Sequence, residues 1–200
     1  MPTILFGAFD RHNFGDLLFA HIAAALLRDE DVRFAGLVDR DLQIYGGHRV
    51  ESLTRLAAKC ANLPVRLIHV GGEILTCDAW QAAIMLQPLD TVQGTIARLD
   101  NDKAARHAWA ARQLGLNDLA PYCISRALFP LAESIAYLGV GGVDLDAREL
   151  ALRTEVLVKL AGADWIGVRD ERTLAHLAAA GIAASLVPDP AVMVAEFFGQ

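Results

Sequence analysis

The residues best suited to chemistry stand in short polar or glycine-rich segments, each after an apolar run. The first is Asn13-Phe14-Gly15-Asp16, which follows a polar loop and opens an apolar helical pattern. A helix that begins here would present backbone N–H groups to an anion, while His12 and Asp16 could donate or accept protons. The alternative role for Asn13 or Asp16 is that of a helix N-cap. Arg11, in the same loop, supplies a permanent positive charge, and its alternative is an ordinary solvated loop residue.

A second segment, Gly71-Gly72-Glu73, follows the apolar run 65–70. Two consecutive glycines let the backbone approach a ligand, or let two chain segments cross closely. Glu73 could act as a base or accept a hydroxyl group, or could only stabilise the first turn of the next helix. His69 lies inside the apolar run, and we expect it to be a hydrogen-bonded core residue rather than a ligand.

A third segment, Gly139-Val140-Gly141-Gly142, resembles part of a dinucleotide-binding fingerprint but lacks its third glycine. The turn at the end of the first predicted strand carries Gly7 but no Gly-x-Gly-x-x-Gly, and the sequence contains no Gly-Lys-Ser/Thr motif. Asp39 ends the second predicted strand, where dinucleotide-binding enzymes place a ribose-binding acid. These segments therefore do not favour a nucleotide-dependent enzyme, which we rank below the two other functions considered at the end of this section.

Two further segments end predicted strands near the C-terminus, Arg169-Asp170 and Pro188-Asp189-Pro190. Because Arg169 directly follows a buried strand, its guanidinium must reach a carboxylate or an anion, and we expect an ion pair with Asp189 or Asp16. Asp170 is suited to cap the next helix. Asp189 is held between two prolines, so it suits either a ligand contact or a structural hydrogen bond.

The elements that must position these residues alternate between short apolar runs and helical patterns. Six strands are predicted: Thr3–Ala8, Arg33–Val38, Val65–Val70, Ser134–Val140, Trp165–Val168 and Ala184–Val187. Runs of this kind, separated by helices, predict an α/β fold with a doubly wound, mainly parallel sheet of about six strands and helices on both faces. In such a sheet the polar segments meet at one edge and form a ligand cleft.

The helical patterns and the domain boundaries follow from the same alternation. We expect one domain over residues 1–190, with one or two extra helices between residues 87 and 130. Residues 191–200 form an apolar tail, which either leads to a second domain or docks on this domain or on a partner chain, for example in a homo-oligomer.

The amino-acid composition and net charge limit the classes of protein to which this chain can belong. The 200 residues are 54% hydrophobic with a formal net charge of −6, which allows a large core and disfavours nucleic acid as a partner. No apolar stretch is long enough to span a membrane, and no signal peptide precedes the first strand. The odd number of cysteines and the absence of metal-ligand spacing predict a reduced, cytoplasmic protein without a metal site.

In their order along the chain, these segments resemble the N-terminal half of the polysaccharide pyruvyl transferase family. The matching residues are Gly7, Asn13-Phe14-Gly15-Asp16, Gly71-Gly72, Gly139-Val140-Gly141, Val168-Arg169-Asp170-Glu171, Leu174, Leu177 and Val187-Pro188-Asp189-Pro190-Ala191. The sequence departs from the family at Glu73, where a third glycine is usual, at Gly142-Val143, where the family favours a Gly-Pro-like loop, and near Thr173, where Ser is common.

The resemblance implies a glycosyltransferase-B-like arrangement of two Rossmann-like domains with the site between them. It also implies transfer of a pyruvyl group from phosphoenolpyruvate, as co-substrate and without a cofactor, to two hydroxyls of a saccharide in exopolysaccharide biosynthesis. The family's donor-binding basic residues lie mainly in its C-terminal half, so this chain would supply the acceptor side. The expected catalytic residues are His12, Asp16, Glu73 and Arg169; the expected ligand-binding residues are Asn13, Gly15, Gly71, Gly72, Gly139, Gly141, Asp170 and Asp189. The alternative is a non-catalytic binding or accessory module that kept the fold and lost the donor half.

Overall fold

The computed structural model describes residues 1–199, in which a single sheet forms the centre of the molecule. Its strands are β1 (Thr3–Phe6), β2 (Val32–Gly36), β3 (Arg40–Asp41), β4 (Arg49–Ser52), β5 (Val65–Val70), β6 (Ala132–Val140), β7 (Trp165–Val168) and β8 (Ser185–Leu186). The spatial order is β3-β4-β2-β1-β5-β6-β7-β8. Every neighbouring pair is parallel except β3 and β4. The predicted α/β class and mainly parallel sheet are confirmed.

The sheet has two more strands than the six predicted from the sequence. Each predicted strand corresponds to an observed one, namely β1, β2, β5, β6, β7 or β8. The additional strands β3 and β4 are two and four residues long and form an antiparallel pair at one edge. They are too short and too charged to give an apolar run, and Gly46 turns between them with a left-handed φ of 77°.

Eight α-helices connect and flank these strands within residues 1–199. They are α1 (Phe14–Leu26), α2 (Leu53–Lys59), α3 (Ala79–Met85), α4 (Leu89–Leu99), α5 (Lys103–Leu114), α6 (Leu150–Ala161), α7 (Glu171–Ala179) and α8 (Val194–Phe198). Both α4 and α5 fall in the 87–130 stretch, where one or two extra helices were expected. Within residues 1–199, none of the helices has the length and apolarity needed to cross a membrane.

Alternate residues of β1 belong to two different core clusters, and each cluster also contains residues of helices. Ile4 and Phe6 lie in the larger cluster, which also contains buried residues of α2, α3, α5, α6 and α7. Leu5 lies in the smaller one, together with Phe19 and Ala20 of α1. Burial of each such side chain contributes about 1.5–3 kcal/mol to folding.

The connections diverge between β1 and β5, which are neighbours in the centre of the sheet. The chain leaves β1 toward β2 on one side, and leaves β5 toward β6 on the other. Loops that diverge at the C-terminal ends of parallel strands leave a crevice between them, and ligands of open α/β sheets bind there. The candidate residues follow β1, β5, β6, β7 and β8 at this C-terminal edge of the sheet.

The segment after β8 folds back onto α1. Pro190–Met193 forms a 3-10 turn followed by α8, and Ala191 packs against the core cluster of α1. The ring of Phe198 lies 6.3 Å from that of His21. The tail thus docks on its own domain as far as Gly199, while the predicted link to a second domain or partner chain stays a prediction.

Candidate functional site

The loop after β1 is tied to the end of β2 by Asp10. Its Oδ2 accepts the backbone N–H groups of Leu37 at 2.7 Å and Val38 at 2.9 Å. The residue is fully buried, and burial raises the pKa of its carboxyl more than these hydrogen bonds lower it. Its Oδ1 has no hydrogen-bond partner among residues 1–199. Sequence reasoning missed this residue, and the only signal was an acid in a short loop after a buried strand.

Asn13 and Asp16 take different roles at the start of α1. Asn13 is the N-cap, as its Oδ1 accepts the N–H of Gly15 at 3.1 Å and its carbonyl accepts that of Leu17 at 3.0 Å. Asp16 instead points toward Arg11, whose Nε and Nη2 lie 2.9 and 2.8 Å from Asp16 Oδ2. Asn13 therefore has the capping role that was the alternative to ligand binding.

The ion pair between Arg11 and Asp16 is largely shielded from water. The side chains are 20% and 8% exposed, so the interpretation of Arg11 as a solvated loop residue is wrong. Burial raises the pKa of Asp16, although the guanidinium groups of Arg11 and Arg169 both act to lower it. Asp16 is the most buried of the predicted catalytic residues.

The glycines after β5 and β6 let two loops cross. Gly72 O accepts the N–H of Gly141 at 2.8 Å, and Gly141 O accepts that of Leu75 at 3.1 Å. At Gly71 and Gly139 an added Cβ would lie 2.4 Å from Phe19 and 2.5 Å from Pro190, so protein atoms fill the adjacent space. Close crossing and packing therefore account for Gly71, Gly139 and Gly141. For Gly71 this is the alternative to ligand binding that the sequence left open.

Gly72 is the glycine of these loops that faces the Asp16 carboxyl. Its φ is 76°, and a Cβ there would lie 3.5 Å from Asp16 Oδ1 and 3.2 Å from Ile74. The Arg11 contacts are made with Oδ2, so Oδ1 faces Gly72 without an internal hydrogen bond to a described residue. The carboxyl of Asp16, a residue that is 6% exposed, therefore keeps one oxygen free to accept a hydrogen bond.

Arg169 bridges two carboxylates at the ends of neighbouring loops. Its Nη2 lies 3.0 Å from Glu73 Oε2, and its Nη1 lies 3.0 Å from Asp189 Oδ2. Glu73 Oε1 also accepts the N–H of Val143 at 2.8 Å, and Asp189 Oδ1 accepts that of Ala191 at 2.9 Å. The predicted ion pair between Arg169 and Asp189 is confirmed, and Glu73 is the second partner.

Asp170 caps α7, as the sequence predicts. Its Oδ1 accepts the N–H of Thr173 at 2.7 Å, and its Oδ2 accepts the Thr173 hydroxyl at 2.7 Å. Thr173 Oγ1 in turn accepts the N–H of Gly142 at 2.8 Å. Both carboxylate oxygens are thus occupied inside the protein, and the cap also fixes the loop after β6.

His12 and His69 have contrasting surroundings. His12 is exposed, and its ring packs edge-on against Tyr45 at 4.6 Å, away from the ion pairs. His69 is fully buried: its Nδ1 lies 3.1 Å from Ala136 O, and its Nε2 accepts the N–H of Ile124 at 3.1 Å. Burial lowers the pKa of His69 to about 3, so the ring stays neutral. The prediction of a hydrogen-bonded core histidine is confirmed.

The structure thus brings together five charged residues, which we call the edge cluster: Arg11, Asp16, Glu73, Arg169 and Asp189. Two arginines face three carboxylates, so the cluster carries one net negative charge when all are ionised. Gly15 and Asn13 border it at the start of α1, and His12 lies outside it.

Comparison with protein-family models, with curated proteins and with solved structures finds no match for this chain. The resemblance to pyruvyl transferases therefore depends on the quoted residues alone.

Proposed function

We propose that this chain is the N-terminal, acceptor-side domain of a polysaccharide pyruvyl transferase-like protein. The observation that carries the proposal is the Asp16 carboxyl, with one oxygen held by Arg11 and the other, beside Gly72, without a hydrogen bond to a described residue. It lies where the connections of the sheet diverge, which is the usual ligand-binding position in α/β folds. The proposal includes a doubly wound, Rossmann-like domain within a glycosyltransferase-B-like pair, acting in the cytoplasm.

The reaction defines what the residues must do. Two hydroxyl oxygens of the saccharide bond to C2 of phosphoenolpyruvate, its C3 gains a proton, and the bond from C2 to the phosphate oxygen breaks. Inorganic phosphate leaves, and the two hydroxyl protons are accounted for by C3 and by the phosphate or solvent. Such a sequence needs a group that can accept and donate protons. The raised pKa of Asp16 suits that task better than a solvated carboxylate does.

The charge balance of the edge cluster supports the acceptor side rather than the donor side. Arg11 is paired with Asp16, and Arg169 with both Glu73 and Asp189. Phosphoenolpyruvate carries a carboxylate and a phosphate, which need cations free to bind them. In this proposal those cations come from a second domain, and the cluster orients the neutral hydroxyls of the saccharide.

The same charge balance favours a second candidate, a non-catalytic binding or accessory module. In that case Arg169 only holds the loops after β5, β7 and β8 together. The C-terminal edge of the sheet then binds a saccharide without catalysing a reaction.

The test uses the protein with any following domain that its reading frame encodes. It is incubated with phosphoenolpyruvate and a saccharide mixture, and phosphate release and the methyl signal of the pyruvyl ketal are measured. Asp16→Asn should reduce the rate by about 10²–10⁴-fold, the usual contribution of a positioned acid or base. Asp90→Asn, on the exposed side of α4, is the matched control and should leave the rate unchanged.

The outcomes separate the two candidates. Saccharide-dependent phosphate release that Asp16→Asn abolishes supports the transferase. Saccharide binding without phosphate release supports the accessory module. Full activity of Asp16→Asn would show that the proposed catalytic site is wrong.

A further inference from the structure

A cavity of about 250 Å³ is lined by residues outside the edge cluster. It is bounded by the start of α3, the first turn of α5 and the segment 147–152. The side chains that matter here are Trp80, Lys103, Arg106, His107, Arg148 and Glu149. None of them belongs to the edge cluster, so an inference from this cavity stands independently of the proposed function.

Arg148 carries a positive charge that the described residues do not neutralise. Its Nε donates to Thr76 O at 2.7 Å, and its Nη2 donates to the same oxygen and to Gln81 Oε1 at 2.7 Å. Both acceptors are neutral, and no carboxylate of residues 1–199 lies within salt-bridge distance. Its Nη1 has no acceptor in that range. The guanidinium is therefore held in place with one of its nitrogens available.

An aromatic wall and a second guanidinium stand in the same cavity. Arg106 Cζ lies 5.8 Å from the centroid of the Trp80 ring, which packs edge-on against the buried Trp109 at 5.3 Å. The ion pair of Arg106 with Asp100 is long, at 3.6 Å, and Asp100 is 59% exposed. An exposed ion pair of this length contributes little to stability, so the pair with Asp100 does not hold Arg106 away from a ligand.

The charge of the cavity is opposite to that of the whole chain. Three cationic side chains line it, Lys103, Arg106 and Arg148, against the two carboxylates of Asp78 and Glu149. Glu149 is already paired with Lys103, and Asp78 caps α3. In a protein of formal charge −6, a positive site of this kind selects small anions.

We propose that this cavity binds a sugar-sized organic anion, such as a sugar phosphate or a uronic acid. Arg148 and Arg106 take its phosphate or carboxylate, since guanidinium groups bind such oxyanions through paired N–H bonds. Trp80 packs against its ring. The volume lies near the lower end of ligand pockets, about 300 Å³, which fits one monosaccharide ring with its anionic group and is too small for a dinucleotide.

The test is a titration of the full chain with glucose 1-phosphate, glucuronate, inorganic phosphate and glucose. Tryptophan fluorescence and calorimetry measure binding. At least one of the two sugar anions should saturate with a Kd below about 1 mM and bind more tightly than inorganic phosphate, while glucose should not saturate. Arg106→Gln and Arg148→Lys should each weaken binding about tenfold or more, a loss of about 1.4 kcal/mol. Arg112→Gln is the matched control, because it lies on α5 outside the cavity lining.

The proposal is overturned by any of three results. The first is no saturable binding of either sugar anion up to about 10 mM, which is weaker than a specific site gives. The second is equal binding by the Arg106→Gln and Arg112→Gln variants. The third is binding of glucose or of inorganic phosphate alone as tight as that of the sugar anions. Arg148 holds a loop through its hydrogen bonds to Thr76 O and Gln81, so Arg148→Lys could unfold the protein. Arg106 makes no such hydrogen bond, and the Arg106→Gln variant then tests the proposal by itself.

Discussion

Gly141 lies directly beneath Glu73, so that a Cβ at residue 141 would be 2.1 Å from Glu73 Oε2. The same Cβ would be 2.8 Å from Arg169 Nε. The ion pair between Glu73 and Arg169 therefore passes over the backbone where two glycine loops cross. Lack of a side chain, rather than a left-handed φ, is what this position requires.

Gly141→Ala should destabilise the protein by about 1–3 kcal/mol, the cost of overpacking a filled site. Urea unfolding measures the change. The cost should fall in a Glu73→Ala background, because the closest clash is removed, and an equal cost in both backgrounds would contradict the arrangement. Gly94→Ala on α4, where a Cβ meets nothing within 4 Å, is the control and should gain about 1 kcal/mol from helix propensity.

A second pair of glycines separates backbone strain from packing. Gly71 and Gly181 have left-handed φ values of 60° and 73°. A Cβ at Gly71 would be 2.4 Å from the Phe19 ring, whereas one at Gly181 would meet nothing within 4 Å. Gly181→Ala should cost about 1 kcal/mol from strain alone, and Gly71→Ala should cost more by thermal or urea unfolding. Equal losses of stability in the Gly71→Ala and Gly181→Ala variants would mean that the Phe19 ring moves aside at no cost.

Features of the fold that depend on local pattern were predictable from the sequence. The buried strands appear as apolar runs, and Asp170 could be assigned as an N-cap because capping depends only on residues a few positions away. The Arg169–Asp189 ion pair was predictable because a charge after a buried strand needs a partner. These relationships involve single elements or neighbouring loops.

Features that depend on tertiary contacts were not predictable. The Arg11–Asp16 ion pair is buried because other elements cover the first loop. The polar composition of that loop, taken alone, indicated that Arg11 is exposed to solvent. Glu73 was expected to be a base or hydroxyl acceptor, or to stabilise a helix start, and the sequence did not indicate its contacts with Arg169 and the N–H of Val143 in the loop after β6. Strand β4 pairs with both β2 and β3, and such pairing is a property that neither short segment shows by itself.

Asp170 should matter for stability and for the loop after β6. Asp170→Ala removes the cap of α7 and the partner of the Thr173 hydroxyl, and should cost about 0.5–2 kcal/mol. Asp170→Asn keeps an acceptor for the Thr173 N–H and should cost less. Chemical denaturation checks both variants. Unchanged stability of Asp170→Ala combined with lost ligand binding would instead give Asp170 the ligand-binding role expected from the resemblance.

The buried carboxyl of Asp10 should make stability depend on pH. Burial raises its folded-state pKa above the ordinary value of 3.8, so the folded protein holds this proton to higher pH than the unfolded chain does. Stability from this group is then full below pH 3.8 and is lost as pH rises through the folded pKa. Asp10→Asn has no such proton, so its unfolding free energy should rise relative to that of the native protein over this window.

Unfolding free energies of the two proteins, measured by urea denaturation from pH 3.5 upward, check this expectation. The same substitution at the exposed Asp29 is the control for loss of a carboxylate. Other carboxylates titrate over the same range, so only the difference between variant and native protein reports on Asp10. A difference that stays constant with pH, or that falls as pH rises, would mean that the Leu37 and Val38 N–H groups stabilise the ionised carboxylate more than burial opposes it.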